Sequence, residues 1–187
     1  RHERLVVLIF LDLDRFKNIT ESLGHEVGDI VLKTIAGELP KLVRDGDTVA
    51  HAVSDEFALL FSDVARSEDA ARLAKKVVEH LEHFPIIVGG HRLFVSVSAG
   101  ISIYPTDSDN VDGLLQAAVT AMDRSQALGG NTYQFYSSKM NTRALENLAI
   151  NTALHDAIAR NELSLHYQPQ VDLSTGEIVG MEALARW

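Results

Sequence analysis

From Leu5 to Leu13 the chain is almost continuously apolar and β-branched, the pattern of a strand covered on both faces. Gly24 and Gly28 predict a turn. Val27, Val31, Ile35, Leu39 and Leu42 then recur at helical spacing, until Gly46-Asp47 breaks the helix. Thr48 to Val53 and Glu56 to Phe61 read as two strands joined at Ser54-Asp55, although neither turn residue is Gly or Asn. Ser67-Glu68-Asp69 predicts a capped helix start, followed by an apolar face of Ala70, Leu73, Val77 and Leu81. Pro85 to Val88 and His91 to Phe94 flank Gly89-Gly90 as a second hairpin. Phe94 to Tyr104 predicts an alternating strand ended by Pro105. Asp109-Asn110 opens a helix with Val111, Leu114, Leu115, Ala118 and Met122 on one face. Gly129-Gly130-Asn131 closes it, and Tyr133 to Tyr136 is a last strand. This order predicts an α/β fold, a mixed sheet with flanking helices, over residues 1–136.

The pattern changes after Tyr136. Residues 137–160 form a long helical stretch without an internal turn signal, read as a linker helix. Residues 161–187 contain a strand from Leu163 to Val171 interrupted by Pro169, a tight turn at Ser174-Thr175-Gly176, and an extended run from Ile178 to Leu184. Two strands without covering layers cannot make a stable domain. The expectation is therefore a second domain truncated at Trp187.

Composition narrows the function classes. The 187 residues hold no cysteine, which excludes disulfides, thiolate metal sites and cysteine nucleophiles. With 17 basic and 26 acidic residues the net charge is −9, which argues against a nucleic-acid binder. No apolar run reaches the roughly 18 residues of a membrane span, and no secretory signal is seen, so no membrane contact within these residues and a cytoplasmic location are expected, with membrane anchoring of a longer protein through upstream segments left open. The acidity suits a site that gathers carboxylates around a divalent cation.

Asp12 and Asp14 end the most apolar strand, and Asp55 and Glu56 lie in the hairpin turn. Carboxylates meeting at strand ends are the donor set of a Mg²⁺-assisted phosphoryl-transfer site. Strand-end aspartates are also common turn formers, so this pattern alone leaves both readings open. Leu11-Asp12-Leu13-Asp14-Arg15-Phe16-Lys17, Leu23-Gly24-His25, Gly28-Asp29 and Val53-Ser54-Asp55-Glu56-Phe57, with Ser98 to Ser102, Asn131 and Phe135-Tyr136, resemble the GGDEF family of diguanylate cyclases. That resemblance implies a domain that condenses two GTP molecules into cyclic di-GMP across a homodimer. It implies metal binding by Asp12, the carbonyl of Leu13, and Asp55. Asp55 and Glu56 would help activate the 3′-hydroxyl, and Phe16, Thr20 and Asp29 would fall at nucleotide-binding positions, with Asp29 reading guanine. Arg44 and Asp47 fall at the spacing of the family's product-inhibition site; a helix C-terminus would also explain them.

The departures from the family pattern point toward lost catalysis. Val53 and Ser54 replace the signature glycines, where φ > 0 and close phosphate approach favour glycine. Thr20 replaces an asparagine and cannot offer an amide. Gln126 and Gly130 stand where the family has a lysine and an arginine on the phosphates, and Asp123 replaces a tyrosine.

Tyr167-Gln168-Pro169, Gly180 and Glu182-Ala183-Leu184-Ala185-Arg186-Trp187 resemble the start of the EAL family, cyclic di-GMP phosphodiesterases with a TIM-like barrel. The resemblance implies Glu182 as a metal ligand, Gln168 as a dinucleotide contact and Arg186 as a phosphate contact. One carboxylate cannot build a two-metal hydrolytic site, so these residues alone should not hydrolyse the dinucleotide. His80 and His83 share a helix face, but without a third ligand they read as a surface pair.

Three functions stay open on this reading. One is a degenerate regulatory module that senses GTP or cyclic di-GMP beside an EAL domain. The others are an active cyclase with an unusual turn and a purely structural dimerisation domain.

Overall fold

The computed structural model describes residues 4–138, 140, 157, 160 and 162–186. By contact the chain divides into two units, residues 1–140 and 141–187. The linker helix expected over residues 137–160 lies for the most part outside the described residues, as does Trp187.

The first unit holds a five-stranded sheet. Its strands are β1 (Leu5–Leu13), β2 (Thr48–His51), β3 (Glu56–Val64), β6 (Val97–Tyr104) and β7 (Thr132–Phe135), in the order β2-β3-β1-β6-β7. A separate hairpin comprises β4 (Ile86–Val88) and β5 (His91–Leu93). The helices are α1 (Phe16–Leu23), α2 (His25–Glu38), α3 (Ser67–His83) and α4 (Val111–Ala127). β1 is antiparallel to both β3 and β6, and β6 is parallel to β7.

The side-chain period of two explains why β1 is apolar throughout. Val7, Ile9, Leu11 and Leu13 enter the larger core with residues of α2 and α3. Leu8 and Phe10 enter a smaller core with Leu114, Ala118 and Met122 of α4. β6 is likewise buried on both faces, Val97 to Ile103, rather than alternating from Phe94 as its sequence suggests. Gly100 sits at the closest approach of α4. A Cβ there would lie 1.9 Å from the Ala118 carbonyl oxygen and 2.2 Å from the Met122 nitrogen.

That close approach also corrects the face expected for α4. Its buried stripe is Leu114, Ala117, Ala118, Ala121, Met122 and Ser125, of which the three alanines and Ser125 are small enough to let the helix lie near the sheet. Val111 is 81% exposed and Leu115 41% exposed. Asn110 caps this helix as expected, its side-chain oxygen accepting from the Gly113 N–H.

Other boundaries shift for local reasons. α1 precedes Gly24, and Gly28 lies inside α2 rather than in the expected turn. A Cβ on Gly28 would come within 2.7 Å of Thr20 Cγ2 and 3.2 Å of Phe16 Cζ, so glycine lets the two helices meet. α2 ends at Glu38, before Pro40, and a short 3₁₀ turn from Leu39 to Leu42 follows it. Ser67 is the first residue of α3; Arg66 holds the cap position without a side-chain cap.

Glu38 is buried between α2 and α3. Lys41 Nζ donates to its Oε2 at 2.6 Å, and His80 Nε2 lies 2.9 Å from its Oε1. His80 also stacks on Phe84. The hydrogen bond from Lys41, with help from His80, holds the Glu38 carboxyl below its ordinary range against the opposing effect of burial. A depressed folded-state pKa stabilises above the unfolded-state value and is lost as pH falls through the folded-state value. Glu38→Gln should therefore cost about 1–3 kcal/mol near neutral pH. The difference from wild type should shrink in acid. Urea midpoints across that range test this; a gap that stays constant into acid would contradict it.

In the second unit β8 (Ser164–Val171) and β9 (Ile178–Arg186) form an antiparallel hairpin. β8 runs through Pro169, which pairs with Met181, instead of breaking there. Proline is tolerated on a strand with a free edge. The turn between them is tied by Asp172, which accepts from the backbone and hydroxyl of Ser174 and from the Thr175 N–H.

Candidate functional site

The parity of β1 decides where its terminal carboxylate goes. Asp12 shares the even register of Leu8 and Phe10, so it belongs to the sheet face covered by α4. Its antiparallel partners are Glu56 on β3 and Ser98 on β6. The Leu13 N–H donates to the Asp55 carbonyl at 3.3 Å, fastening the β2–β3 turn to the end of β1. The fold thus brings Asp55 and Glu56 to the end of the strand that carries Asp12.

From the last turn of α4, Gln126 Nε2 donates to Asp12 Oδ1 at 2.7 Å. This is one of the two positions where the family resemblance calls for a cation. Burial pushes the Asp12 carboxyl up to about 6, and the charge of Asp55 adds to it. The Gln126 hydrogen bond opposes the rise, while Glu56 and Asp14 reinforce it. A neutral amide relieves little of that repulsion.

The chemistry of these donors suits Mg²⁺: hard oxygens that repel one another until a cation joins them. Among the described residues no group of three or more histidine or acidic side chains stands close enough to hold a metal ion. Asp12, Asp55 and the Leu13 carbonyl are the groups that the family resemblance offers for holding such an ion, and fewer than a full set of ligands leaves room for water.

Asp14 is committed elsewhere. Its carboxylate accepts from Ser96 Oγ (2.7 Å), Ser98 Oγ (2.6 Å) and the Asn131 N–H (2.8 Å). It therefore ties the end of β1 to the start of β6 and to the turn before β7. Gly130, at φ +77°, packs so close that a Cβ would lie 2.7 Å from Asp14 Oδ1.

The signature turn is a four-residue turn closed by the Glu56 N–H to the Val53 carbonyl (2.9 Å), with the Ala52 N–H donating to the Glu56 carbonyl. Only Ser54 has a positive φ, 54°; Val53 does not, so the backbone strain expected at valine falls on serine. A left-handed non-glycine residue costs roughly 1–2 kcal/mol. Val53 points outward, 70% exposed. His51, which its sequence context did not single out, places Nε2 2.7 Å from the Ser54 carbonyl oxygen and stacks on Phe57. Its only sequence signal is a ring three residues before a turn residue.

The nucleotide positions are mixed. Phe16 is buried in the larger core, and Thr20 Oγ1 donates back to the Lys17 carbonyl at 2.9 Å. Asp29 is exposed on α2, one residue after the Gly28 contact.

Arg44 and Asp47 border a cavity of about 580 Å³ that also meets Phe61, Arg72, Leu73 and Lys76. Asp47 accepts from the Arg44 and Ser62 N–H groups at 3.0 and 3.2 Å, fixing the loop while leaving the Arg44 side chain exposed. In the second unit Gln168 and Glu182 are direct cross-strand partners, and Arg186 lies on the same strand face as Glu182.

Residues 1–132 match the diguanylate cyclase GGDEF domain, and residues 151–187 match the EAL domain. The chain is 37% identical over 182 residues to the cyclic di-GMP phosphodiesterase NbdA of Pseudomonas aeruginosa, covering 97% of this chain and 23% of that protein. It is 38% identical over 187 residues to MucR, a bifunctional diguanylate cyclase/cyclic di-GMP phosphodiesterase of the same organism, covering 100% of this chain and 27% of MucR. The chain thus spans about a quarter of the length of these relatives. Among solved structures, an EAL/GGDEF domain protein of M. capsulatus superposes with a TM-score of 0.67 at 41% identity, over 73% of this chain and 88% of that one. The GGDEF domain of YfiN from P. aeruginosa gives a TM-score of 0.70 at 33% identity, over 73% and 84%.

Proposed function

This chain belongs to the diguanylate cyclase GGDEF domain family and carries the start of an EAL domain, and from that premise we propose that its first unit is a degenerate, catalytically silent GGDEF domain. In this reading it serves as a nucleotide-sensing regulator inside a cyclic di-GMP signalling protein whose complete EAL domain hydrolyses the dinucleotide.

The observation that carries the reading is the 2.7 Å hydrogen bond from Gln126 to Asp12. It puts a neutral amide against a carboxylate already raised by burial and, after it, by the charge of Asp55. A triphosphate brought there would meet three acids and neither of the family's two cations. Each missing charge-assisted bond is worth about 1.5–3 kcal/mol. Mg²⁺, held by Asp12, Asp55 and the Leu13 carbonyl, would supply charge neutralisation for the phosphates. Ser54 and Val53 leave the turn with side chains where glycines would let the backbone meet a phosphate.

The sensing role rests on the Arg44–Asp47 loop. Asp47 holds the loop through two backbone N–H groups, and Arg44 is left to make bidentate contacts with a phosphate or a guanine edge. Turnover with GTP and Mg²⁺ should give no accumulation of cyclic di-GMP. Calorimetry should show cyclic di-GMP binding to wild type, weakened about tenfold or more by Arg44→Ala. Normal cyclase turnover would overturn the loss of catalysis; identical heats for the two proteins would overturn the sensing site. A second reading, an active cyclase with a non-standard turn, is favoured only by the convergence of Asp12, Asp55 and Glu56, and the same turnover assay separates it.

A further inference from the structure

We propose that His51 is the positioning residue of the signature turn, its imidazole Nε2–H donating to the Ser54 carbonyl and standing in for the conformational ease that a glycine at position 54 would give. Three observations converge on it. His51 Nε2 is 2.7 Å from the Ser54 carbonyl oxygen. The ring is stacked on Phe57, centroids 4.8 Å apart and planes 29° from parallel, which fixes its direction. Ser54 is the turn's only residue with a positive φ, so the carbonyl that His51 holds belongs to the residue carrying the strain.

The logic is local. A hairpin with positive φ at its first central position prefers glycine there. A serine in that place favours relaxation to another turn, which would carry Asp55 and Glu56 with it. The cross-strand pair His51–Phe57 sets the imidazole beside the turn, and a donor on the Ser54 carbonyl opposes the relaxation. A carbonyl needs a donor, so the ring must carry its proton on Nε2; a neutral ring in that tautomer suffices. His51 touches no reacting group in this arrangement. It acts through the turn on the two carboxylates that follow.

The test uses the whole 187-residue chain and two substitutions. His51→Phe keeps an aromatic ring on Phe57 and removes the donor. His51→Gln loses the stack and keeps an amide donor at similar reach. Amide exchange measured by NMR at Ala52 and Glu56, whose N–H groups close the turn, should speed up about threefold to tenfold in His51→Phe, the span of one hydrogen bond, and return toward wild type in His51→Gln. The ring nitrogen resonances of wild type should report the Nε2–H tautomer at neutral pH. Unchanged exchange in His51→Phe, no recovery in His51→Gln, or an Nδ1–H tautomer would each overturn the proposal. Extending this role to nucleotide affinity rests on the sensing reading above. GTP binding with Mg²⁺ should weaken in His51→Phe and recover in His51→Gln. A wild type that binds no GTP defeats nucleotide binding at this site, while the exchange and tautomer measurements still decide the role of His51.

Discussion

Gly100→Ala should be the most damaging glycine-to-alanine substitution among the described residues. The new Cβ would sit 1.9 Å from the Ala118 carbonyl oxygen and 2.2 Å from the Met122 nitrogen, both backbone atoms of α4. No rotamer change can clear them, so the helix must lift from β6. Lifting it opens the small core of Leu8, Phe10, Leu114, Ala118 and Met122. Overpacking typically costs 1–3 kcal/mol, and a backbone collision belongs at or above the upper end, about 3 kcal/mol or more. That is a large share of a domain's total stability and corresponds to a fall in Tm of roughly 10 °C. Gly37→Ala is the matched control. Gly37 lies on an exposed position of α2, with nothing within 4 Å of its Cβ position, so the same substitution should stabilise by about 0.5–1 kcal/mol. Urea midpoints for the two variants should move in opposite directions; a Gly100→Ala midpoint equal to wild type would refute the close-approach argument.

The two positions of the proposed nucleotide site that lack the cations of the family pattern, Gln126 and Gly130, should respond differently when a cation is introduced. Gln126→Lys places an ammonium where an amide already reaches Asp12 from the end of α4. It should raise affinity for GTP with Mg²⁺ about tenfold to a hundredfold, the equivalent of one charge-assisted hydrogen bond. Gly130→Arg should bring no such gain. Gly130 has φ +77°, and its Cβ would meet the Asp14 carboxylate at 2.7–3.0 Å. That carboxylate cannot swing aside without giving up Ser96, Ser98 and the Asn131 N–H. Gly130→Arg should therefore destabilise the first unit by about 1–3 kcal/mol. Calorimetry and thermal melts on both variants check this. Equal affinity gains with unchanged melting would show that the turn before β7 accommodates an arginine after all.

Much of the fold is encoded in local sequence pattern. The double-sided strand β1, the β2–β3 hairpin, the helix starts at Ser67 and Asn110 and the stop at Gly129-Gly130 follow from periodicity and turn chemistry, which are local. The errors are where tertiary contact overrides a local signal. Gly28 signals a turn but serves a helix–helix contact, Leu115 signals a core face but lies outside a stripe of small residues, and Pro169 signals a break but sits in a strand.

The sequence by itself determined which chemical groups the site has and which it lacks: Asp12, Asp55 and Glu56 are present, while Val53, Ser54, Gln126 and Gly130 replace the family's glycines and cations. The family resemblance suffices for that, because motif matching does not depend on how the chain is packed. Only the tertiary structure decided how those groups meet. The side-chain period of β1 tells that Asp12 shares a face with Leu8 and Phe10, but not that α4 covers that face and brings Gln126 to it. Nor does it tell that Asp14 is used up in joining β1, β6 and the β7 turn, that the strain falls on Ser54 rather than Val53, or that His51 reaches the turn. These are contacts between segments distant in sequence or conformations imposed by them, and a local pattern carries no information about the partner.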